Sequence, residues 1–374
     1  AKEVKKLFPN AIVGVPGKIM DPRMAERLVD DGVCDIVGGG RLPWADPDYP
    51  KKAMAGKYED VRQCTSCSYC YSFFYLGKRC FCSVNPVFHQ EYLNWEYLSP
   101  PLKTKKIMIV GGGICGMEFA RVAKTRGHEV VLYEKKETLG GLVNIGADIP
   151  YVDTMDLGHI VTWEKTQIEK LGVETHLGTE ANLEAVEREN PDAVVIATGS
   201  IPLIPDIPGI DGPNVMTIDT YLEEKPEITG KAVVIGAWEG AETALSLGRQ
   251  GVEATLVSEK AGGLLGPFFD AKYFYGLYDR QYMMVRSLGE AKVETIGGAT
   301  INRITDKGVE ITVDGQARLL EASKVIIGFG RKTVTDLASA LKGKVDEIHI
   351  LGDAREPRSA AEAIGDAYRT ARLI

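Results

Sequence analysis

The sequence has none of the features that mark membrane-spanning, secreted or nucleic-acid-binding proteins. Its apolar stretches, such as those near residues 106–110 and 231–235, are far shorter than the roughly 20 residues that cross a bilayer. It opens without a charged and apolar leader, and its 44 basic and 52 acidic residues form no long run of one sign. We therefore expect a cytoplasmic protein that binds small molecules and proteins, with no nucleic acid and no membrane as partner.

The composition is that of a folded protein with more than one domain. Of the 374 residues, 44% are hydrophobic and 26% are charged, which excludes a disordered or fibrous chain. At about 150 residues per domain, this length corresponds to two or three domains. Ala1 stands where an initiator methionine would be, so we expect a fragment or a processed subunit.

Cysteines are few, but five of the seven lie between positions 64 and 82. In a cytosolic chain, such crowding favours metal or cluster ligation over disulfides. Two successive CxxC steps bring Cys64, Cys67 and Cys70 into one tight loop. Cys82, which a proline follows closely, supplies a fourth thiolate in an arrangement typical of iron–sulfur clusters. The alternatives are a structural zinc, which usually takes two separated pairs, and unligated thiols; Cys80 competes with Cys82 for the fourth position.

A glycine motif stands where a nucleotide-binding fold requires it. A short apolar stretch leads directly into Gly111, Gly113 and Gly116, and a predicted helix follows. In this GxGxxG motif the first glycine permits a tight turn, the second lets the backbone approach a diphosphate, and the third lets the helix pack on the strand. A second predicted strand ends in Glu134, where a carboxylate can accept hydrogen bonds from ribose hydroxyls. The alternative is a glycine-rich turn without a ligand.

The same pattern recurs in an altered form in the second half of the chain. A predicted strand runs into Gly236 and Gly240, but the loop is one residue shorter, lacks the middle glycine and carries the bulky Trp238. Counting along the chain puts Ser258, not Glu259, at the position of the ribose carboxylate. The neighbouring Glu259 and the absence of an arginine favour NADH over NADPH. We expect a nicotinamide nucleotide here, with a structural or vestigial domain as the alternative.

Two dinucleotide folds, one inserted in the other, indicate a flavin-binding domain interrupted by a nicotinamide-binding domain. Buried strands that end in small-residue turns near residues 192–200 and 324–331 mark where the chain leaves the first domain and returns. A last strand leads to Gly352 and Asp353, whose carboxylate can bond a flavin ribityl hydroxyl. The closing helix over 360–373 points its N-terminus at the flavin. A simple turn is the alternative interpretation of Gly352-Asp353.

The first 60 residues contain two strand–helix steps, which are too few to bury both faces of a sheet. Other strands must complete them. In a (β/α)8 barrel, the loops after the last two strands commonly form a phosphate site, and Gly17, Gly40 and Arg41 are placed to form one. Taken alone, Gly40-Arg41 is more simply an ordinary turn.

These motifs together resemble the multidomain NADH:flavin oxidoreductases related to 2,4-dienoyl-CoA reductase, enoate reductase and trimethylamine dehydrogenase. The resemblance covers nearly the whole chain. It rests on residues 21–26, Gly40-Arg41 with 45–48, 82–86, the glycine motif of 111–116, 139–141, and Gly352-Asp353 with 362–364.

The resemblance implies an α/β fold with the end of a (β/α)8 barrel, an iron–sulfur loop, and a Rossmann-like FAD domain with an inserted NAD(P)-binding domain. The implied limits are 1–60 for the C-terminal part of a flavin-binding TIM barrel, 61–100 for the [4Fe–4S] loop and linker, 101–220 for the first part of the FAD domain, 221–322 for the NAD(P) domain, and 323–374 for the return segment.

The resemblance also implies the cofactors and the residues that hold them. A complete barrel would hold FMN, with its phosphate at Gly17, Gly40 and Arg41. The [4Fe–4S] ligands are Cys64, Cys67, Cys70 and Cys82. The FAD, or in some members ADP, contacts are Gly111, Gly113, Gly116, Glu134, Gly141, Thr198, Gly199, Gly352 and Asp353. The NAD(H) or NADP(H) contacts are Gly236, Gly240 and Glu259.

The chain departs from the family in three places. The first six barrel strands are absent from this sequence. Two residues separate Cys67 from Cys70, where several relatives have three. The nicotinamide loop is shortened, which weakens the expectation that a hydride enters through this domain.

The leading hypothesis is an enzyme that passes electrons from NAD(P)H through FAD and the cluster towards FMN, for reduction of an enoate or enoyl-CoA type substrate. Its partners would be a nicotinamide nucleotide, a small-molecule acceptor, and the rest of the barrel or a homo-oligomer. The alternative is a non-catalytic electron-transfer or scaffold subunit that binds FAD or ADP. A zinc-bearing disulfide reductase is less favoured, because no CxxC or CxxxxC dithiol follows Gly141.

Overall fold

The computed structural model describes residues 1–71, 80–93, 97–154, 156–259 and 278–374. The fold is α/β as expected, with two parallel five-stranded sheets as its main elements. Within these ranges, no helix is both long enough and apolar enough to cross a membrane.

The N-terminal segment contains a small parallel sheet. Strands β1 (Gly14–Pro16) and β2 (Ile36–Gly38) pair in parallel. Asp21 caps the second helix by accepting a hydrogen bond from the backbone N–H of Arg23 at 2.9 Å. The helices are α1 (Lys2–Leu7), α2 (Pro22–Asp30), α3 (Leu42–Ala45) and α4 (Tyr49–Met54), and 3-10 turns lie at Tyr58–Asp60 and Glu91–Leu93.

The first large sheet is built on a strand–helix–strand plan. Its strands are β3 (Lys106–Val110), β4 (Glu129–Tyr133), β5 (Glu174–His176), β6 (Ala193–Ile196) and β17 (Glu347–Ile350), in the order β17-β6-β3-β4-β5. Its helices are α5 (Ile114–Arg126), α6 (Leu142–Gly146), α7 (Gly158–Lys170), α8 (Leu183–Glu189), α12 (Asp336–Ala340) and α13 (Ala360–Leu373). The central strands are continuous apolar runs because both of their faces are covered.

The second large sheet follows the same plan with an added antiparallel layer. Its strands are β8 (Val215–Thr217), β9 (Lys231–Gly236), β10 (Glu253–Ser258), β11 (Glu294–Gly297) and β15 (Lys324–Gly328), in the order β11-β10-β9-β15-β8. Its helices are α9 (Ile218–Glu224), α10 (Trp238–Arg249) and α11 (Tyr278–Glu290). The added layer is β12 (Thr300–Thr305), β13 (Gly308–Val313) and β14 (Gln316–Glu321).

A two-stranded antiparallel ribbon carries the chain between the two sheets. Strand β7 (Ser200–Pro202) leads out of the first sheet, and β16 (Arg331–Thr333) leads back. The sequence analysis gives limits of 221 and 322 for the inserted unit. Strands β8 and β15 lie outside those limits but pair within the second sheet, which therefore extends from residue 215 to residue 328.

One hydrophobic core joins the N-terminal segment to the first sheet. Met20, Leu42 and Val61 belong to the same buried cluster as Ile107 and Phe119. Cys64 belongs to this cluster too, so the start of the cysteine loop (residues 64–82, of which 64–71 and 80–82 are described) packs on α5.

Candidate functional site

The first glycine loop has backbone that only glycine can supply at two of its positions. Gly111 has φ +109°, and a Cβ there would lie 2.2 Å from the carbonyl oxygen of Ala197. A Cβ on Gly116 would lie 1.9 Å from the carbonyl oxygen of Gly111. A Cβ on Gly113 would meet nothing within 4 Å. The loop is thus closed on the protein side and open at Gly113, where the N-terminus of α5 begins.

Glu134 lies at the edge of this loop and is oriented by the backbone. Its Oε2 accepts a hydrogen bond from the N–H of Gly112 at 2.7 Å, and its Oε1 accepts one from the N–H of Lys136 at 2.8 Å. The side chain is 8% exposed. The structure therefore brings this carboxylate beside the glycine turn, in position to receive hydroxyl donors.

The predicted Gly141 also lies against the loop. The N–H of Gly140 donates to the carbonyl oxygen of Gly112 at 2.8 Å. Gly141 has φ +56°, and a Cβ there would lie 3.2 Å from the Cα of Gly113. This second glycine turn forms a wall beside the open side of the first.

Asp353 follows a glycine that packs on the first turn of α5. Its Oδ2 accepts a hydrogen bond from the hydroxyl of Ser200 at 3.1 Å, and its Oδ1 accepts one from the N–H of Arg358 at 3.2 Å. Burial raises the pKa of Asp353. A Cβ on the preceding Gly352 would lie 3.0 Å from the Sγ of Cys115 on α5. This geometry packs the turn tightly onto the first nucleotide helix.

Thr198 and Gly199 lie in the turn after β6 that leads to Ser200. The hydroxyl of Thr198 donates to the carbonyl oxygen of Val334 at 2.5 Å, and Gly199 has φ +74°. Both residues are therefore next to the ribbon that joins the two sheets, and close along the chain to the hydroxyl that contacts Asp353.

Arg331 connects the two sheets, and the sequence analysis did not identify it. Its Nη1 and Nη2 donate to both carboxylate oxygens of Asp219 at 2.9 and 2.8 Å. Its Nε donates to the hydroxyl of Ser200 at 2.9 Å. Asp219 lies on α9 of the second unit, whereas Ser200 contacts Asp353 of the first. The arginine after the small-residue turn at 328–330 was the available sequence signal.

The second glycine loop differs from the first in its contacts. A Cβ on Gly240 would lie 3.3 Å from the Cδ1 of Leu256, and a Cβ on Gly236 would lie 3.1 Å from the carbonyl oxygen of Gly328. The indole N–H of Trp238, at the start of α10, donates to Glu242 at 2.8 Å. Trp238 thus occupies the first turn of α10, whereas the corresponding position of the first loop, at Gly113, is open.

The acidic position of the second unit also differs. Ser258 is buried at the end of β10, whereas Glu259, the next residue, is exposed. Its surroundings beyond residue 259 lie outside the described ranges.

The three predicted phosphate residues lie together near the small sheet. The register of β1 on β2 pairs Pro16 with Gly38, so Gly17 and the segment of Gly40 leave adjacent strand ends. Gly17 has φ +105°, and a Cβ on either glycine would meet nothing within 4 Å. Arg41 immediately precedes α3, and its charge acts on the thiols of Cys64 and Cys70.

The four predicted cysteine ligands are neighbours on the surface of this core. Cys64 and Cys70 are 7% and 6% exposed, and Cys67 and Cys82 are partly buried. Cys67 acts electrostatically on the other three thiols. The competing Cys80 is also buried, and it packs with Cys70 and Phe88. In the parts of the chain that are described, no three metal-binding side chains converge closely enough to hold an ion.

The surroundings of these thiols nevertheless suit thiolate ligands. The backbone N–H of Ser66 donates to the Sγ of Cys64 at 3.4 Å, and the N–H groups of Val84 and Asn85 donate to Cys82. Burial raises the pKa of Cys82 to about 12, while these donors oppose the rise. N–H donors to sulfur and low exposure are two of the factors that tune iron–sulfur sites. The donor set therefore fits a four-thiolate group.

Comparisons with known proteins cover both the nucleotide units and the N-terminal segment. The sequence profile described as pyridine nucleotide-disulphide oxidoreductase matches residues 105–355. Cinnamate reductase of Clostridium sporogenes is 32% identical over 378 residues, which include 100% of this chain and 54% of the relative. NADH oxidase of Thermoanaerobacter brockii is 30% identical over 391 residues, with 100% and 57% coverage.

A solved structure is similar over the full chain. It is the complex of 2-naphthoyl-CoA reductase with 2-naphthoyl-CoA, which superposes with a TM-score of 0.91 and 32% identity, over 100% of this chain and 55% of that one. The chain spans about half the length of the curated relatives that it matches.

Proposed function

This chain belongs to the pyridine nucleotide-disulphide oxidoreductase family, and we propose that it is the electron-delivering half of a larger flavin and iron–sulfur enzyme. The family resemblance drawn from the sequence motifs is confirmed by relatives that include cinnamate reductase and 2-naphthoyl-CoA reductase. In this role the chain works as an NAD(P)H-dependent oxidoreductase. In our proposal, electrons pass from NAD(P)H through FAD and a [4Fe–4S] cluster towards FMN in the cytoplasm.

One observation carries the proposal: the nucleotide loop and the cysteine loop share one core. Cys64 belongs to the same buried cluster as Ile114 and Met117 at the start of α5. The open glycine backbone and the buried Cys64 are therefore both positioned by α5. Such a shared scaffold suits groups that exchange electrons.

The residues of the first unit divide the work of holding FAD. The backbone at Gly113 and the N-terminus of α5 would bind the diphosphate. Glu134 would accept the ribose hydroxyls, and Asp353 would orient the ribityl chain. Gly111, Gly116, Gly141, Thr198, Gly199 and Gly352 shape the cradle. A bound flavin supplies the ability to accept two electrons from a nicotinamide and to release them singly.

In the second unit, Gly236, Gly240 and Glu259 would bind the nicotinamide nucleotide. Arg331 would hold this unit at a constant angle to the first, because its guanidinium bonds Asp219 on one side and Ser200 on the other. The chain's own role here is to orient two nucleotides and to exclude water from the space between them.

The cysteine set Cys64, Cys67, Cys70 and Cys82 would hold the cluster. Backbone N–H donors to Cys64 and Cys82, and the positive charge of Arg41, stabilise sulfur in its anionic form. Arg41 therefore has two possible partners, these thiols and the phosphate of FMN beyond Gly17 and Gly40.

The N-terminal segment would complete its barrel with further strands. Two parallel strands cannot cover their own faces, and apolar side chains such as Leu7, Phe8 and Ile12 are exposed. The relatives are nearly twice as long as the chain. We propose that the added strands bind FMN and reduce an enoate or enoyl-CoA type substrate, as the names of cinnamate reductase and 2-naphthoyl-CoA reductase suggest for those proteins.

The test is anaerobic reduction of the purified chain. It should contain flavin and about four irons and four sulfides per polypeptide. Mixing with NADH or NADPH should bleach the absorbance band of the oxidised flavin. If the flavin stays oxidised with NADH and NADPH but is reduced by dithionite, the proposal that electrons enter from a nicotinamide nucleotide is wrong. Zinc in place of iron would contradict the cluster.

A scaffold without nicotinamide turnover is the second candidate. The observation in its favour is Trp238, which stands in the shortened loop and is anchored to Glu242. This candidate predicts tight binding of ADP or FAD together with no measurable affinity for NADH in calorimetry.

A further inference from the structure

Two carboxyl groups without a role in the proposed function are buried between α5 and α7. Glu118 is fully buried, and Glu164 is 2% exposed. The two helices pack on each other, and the two side chains lie close enough for each to affect the ionisation of the other. Two carboxylates in contact inside a protein cannot both be ionised without strong repulsion, so such pairs hold a proton between them.

The neighbouring groups decide which carboxyl group holds the proton. Arg121 donates to Oε2 and Oε1 of Glu118 at 2.6 and 2.8 Å, which stabilises Glu118 as the anion. By contrast, Oε2 of Glu164 has no hydrogen-bond partner in the described part of the chain. Burial and the adjacent Glu118 raise the pKa of Glu164 well above its usual value. Glu164 is therefore the member of the pair that is neutral.

Arg62 connects this pair to the cysteine loop. It lies two residues before Cys64, and its Nη1 donates to the carbonyl oxygen of Val84, two residues after Cys82, at 2.9 Å. Its guanidinium stacks on the ring of Trp163 at 4.0 Å from the ring centre. Trp163 immediately precedes Glu164, and the charge of Arg62 also acts on Glu164. Arg62 therefore links the surroundings of the cysteines to this carboxyl group.

We propose that Glu164 is a redox-linked proton site: in the pH range where Glu164 is ionised while the cysteine loop is oxidised, the arrival of an electron makes its carboxylate take one proton from water to form an O–H bond, and Glu164 returns that proton when the electron leaves. This inference rests on the proposed cluster. The electron comes from the reduced nicotinamide through the flavin, so one electron and one proton are balanced at each transfer.

The charge balance around Glu164 gives the direction of the effect. Glu118 and Arg121 face it from α5 and Arg62 from the cysteine loop, and Tyr368 of α13 lies beyond Arg121. With Glu164 neutral, two guanidinium groups and one carboxylate leave a single positive charge, which favours the arriving electron. Loss of the proton cancels that charge. The reduction potential of the proposed cluster should therefore fall as the pH rises through the range where Glu164 ionises.

The experiment is a redox titration of the full chain at a series of pH values, followed by visible absorbance. Glu164→Gln is similar in shape to the neutral acid and should fold. The matched control is Glu169→Gln on the same helix, since Glu169 is exposed. In the wild type and the control, the reduction equilibrium constant should fall tenfold per pH unit in the linked range. In Glu164→Gln it should not change with pH. A Glu164→Gln slope equal to that of the wild type would overturn the proposal.

Infrared spectroscopy tests the proton independently of the cluster. The wild type and Glu169→Gln should show the carbonyl stretch of a buried protonated carboxyl group, and Glu164→Gln should lack it. Glu164→Asp should restore the band and the pH dependence. A band that survives in Glu164→Gln would place the proton elsewhere and overturn the inference. Protein that takes up no iron would overturn the proposed cluster and the redox linkage with it, whereas the infrared band would still report the protonation of Glu164.

Discussion

The two glycine loops of this chain follow one strand–turn–helix plan but differ in what requires their glycines. In the first loop, backbone atoms exclude a Cβ at Gly111 and Gly116. In the second, the nearest atom to a Cβ on Gly240 belongs to the flexible side chain of Leu256. The first loop also leaves open backbone for a ligand, whereas the second places Trp238 there. A shared fold therefore does not bring equal ligand binding, and the approach of individual atoms decides it.

The largest expected effect is on stability, when one methyl group is added to a glycine of each loop. Gly116→Ala should strongly destabilise the fold, because its Cβ would lie 1.9 Å from the carbonyl oxygen of Gly111 and overpacking costs about 1–3 kcal/mol, occasionally more. Gly240→Ala should change the unfolding free energy by about 1 kcal/mol or less, since helix propensity offsets a mild contact. Urea unfolding measures both. Equal losses of stability would contradict the contrast.

Gly113→Ala is the control for ligand approach. A Cβ there meets no protein atom within 4 Å, and the φ of −70° suits alanine. We expect normal folding but loss of flavin during purification, because the methyl group would stand where the diphosphate approaches. Full flavin content would exclude Gly113 from the diphosphate site.

A second pair of variants compares the two acidic positions. Glu134→Gln should weaken flavin or ADP binding by about 10- to 100-fold, because a charged hydrogen bond is worth about 1.5–3 kcal/mol. Glu259→Gln should weaken NADH binding only a few-fold, since Glu259 is exposed. Isothermal calorimetry on the two variants measures both affinities. A larger effect at Glu259 would reverse the comparison.

The contact between the two units can be broken without touching either loop. Arg331→Gln removes the paired bonds to Asp219, so we expect flavin reduction by NADH to slow about tenfold as alignment is lost. Flavin content should not change. Lys332→Gln, at the exposed next position, is the control in stopped-flow absorbance. Unchanged reduction in Arg331→Gln would show that the two units are oriented by other contacts.

The smallest expected effect concerns the bulky residue of the second loop. Trp238→Ala should tighten NADH binding by about two- to fivefold, a gain under about 1 kcal/mol, because the indole stands in the first turn of α10. Trp238→Phe should show no gain, since it keeps an aromatic ring at this position although it loses the bond to Glu242. Fluorescence titration with NADH measures both. Weaker binding in Trp238→Ala would make the indole a ligand contact instead of an obstacle.

Much of the fold was predictable because its signals are local. The apolar run before Gly111 and the alanine-rich closing helix both form elements at the expected positions, since Lys106–Val110 is a strand and Ala360–Leu373 is a helix. The glycine motif, its helix and the following acid are short-range patterns with direct steric causes. The limits of the inserted unit were less predictable, because the pairing of Val215–Thr217 with Lys324–Gly328 joins strands that are far apart in the chain.

The sequence by itself determined the family, the nucleotide turns and the crowding of the cysteines, because each depends on residue type and spacing over fewer than about 30 residues. Only the tertiary structure decided that Arg331 bonds Asp219 and that Glu118 and Glu164 meet beside Arg62. Such charged residues look like ordinary surface positions in a sequence. They become buried neighbours only when separate segments pack around one core, where the loss of water makes each charge depend on its partner.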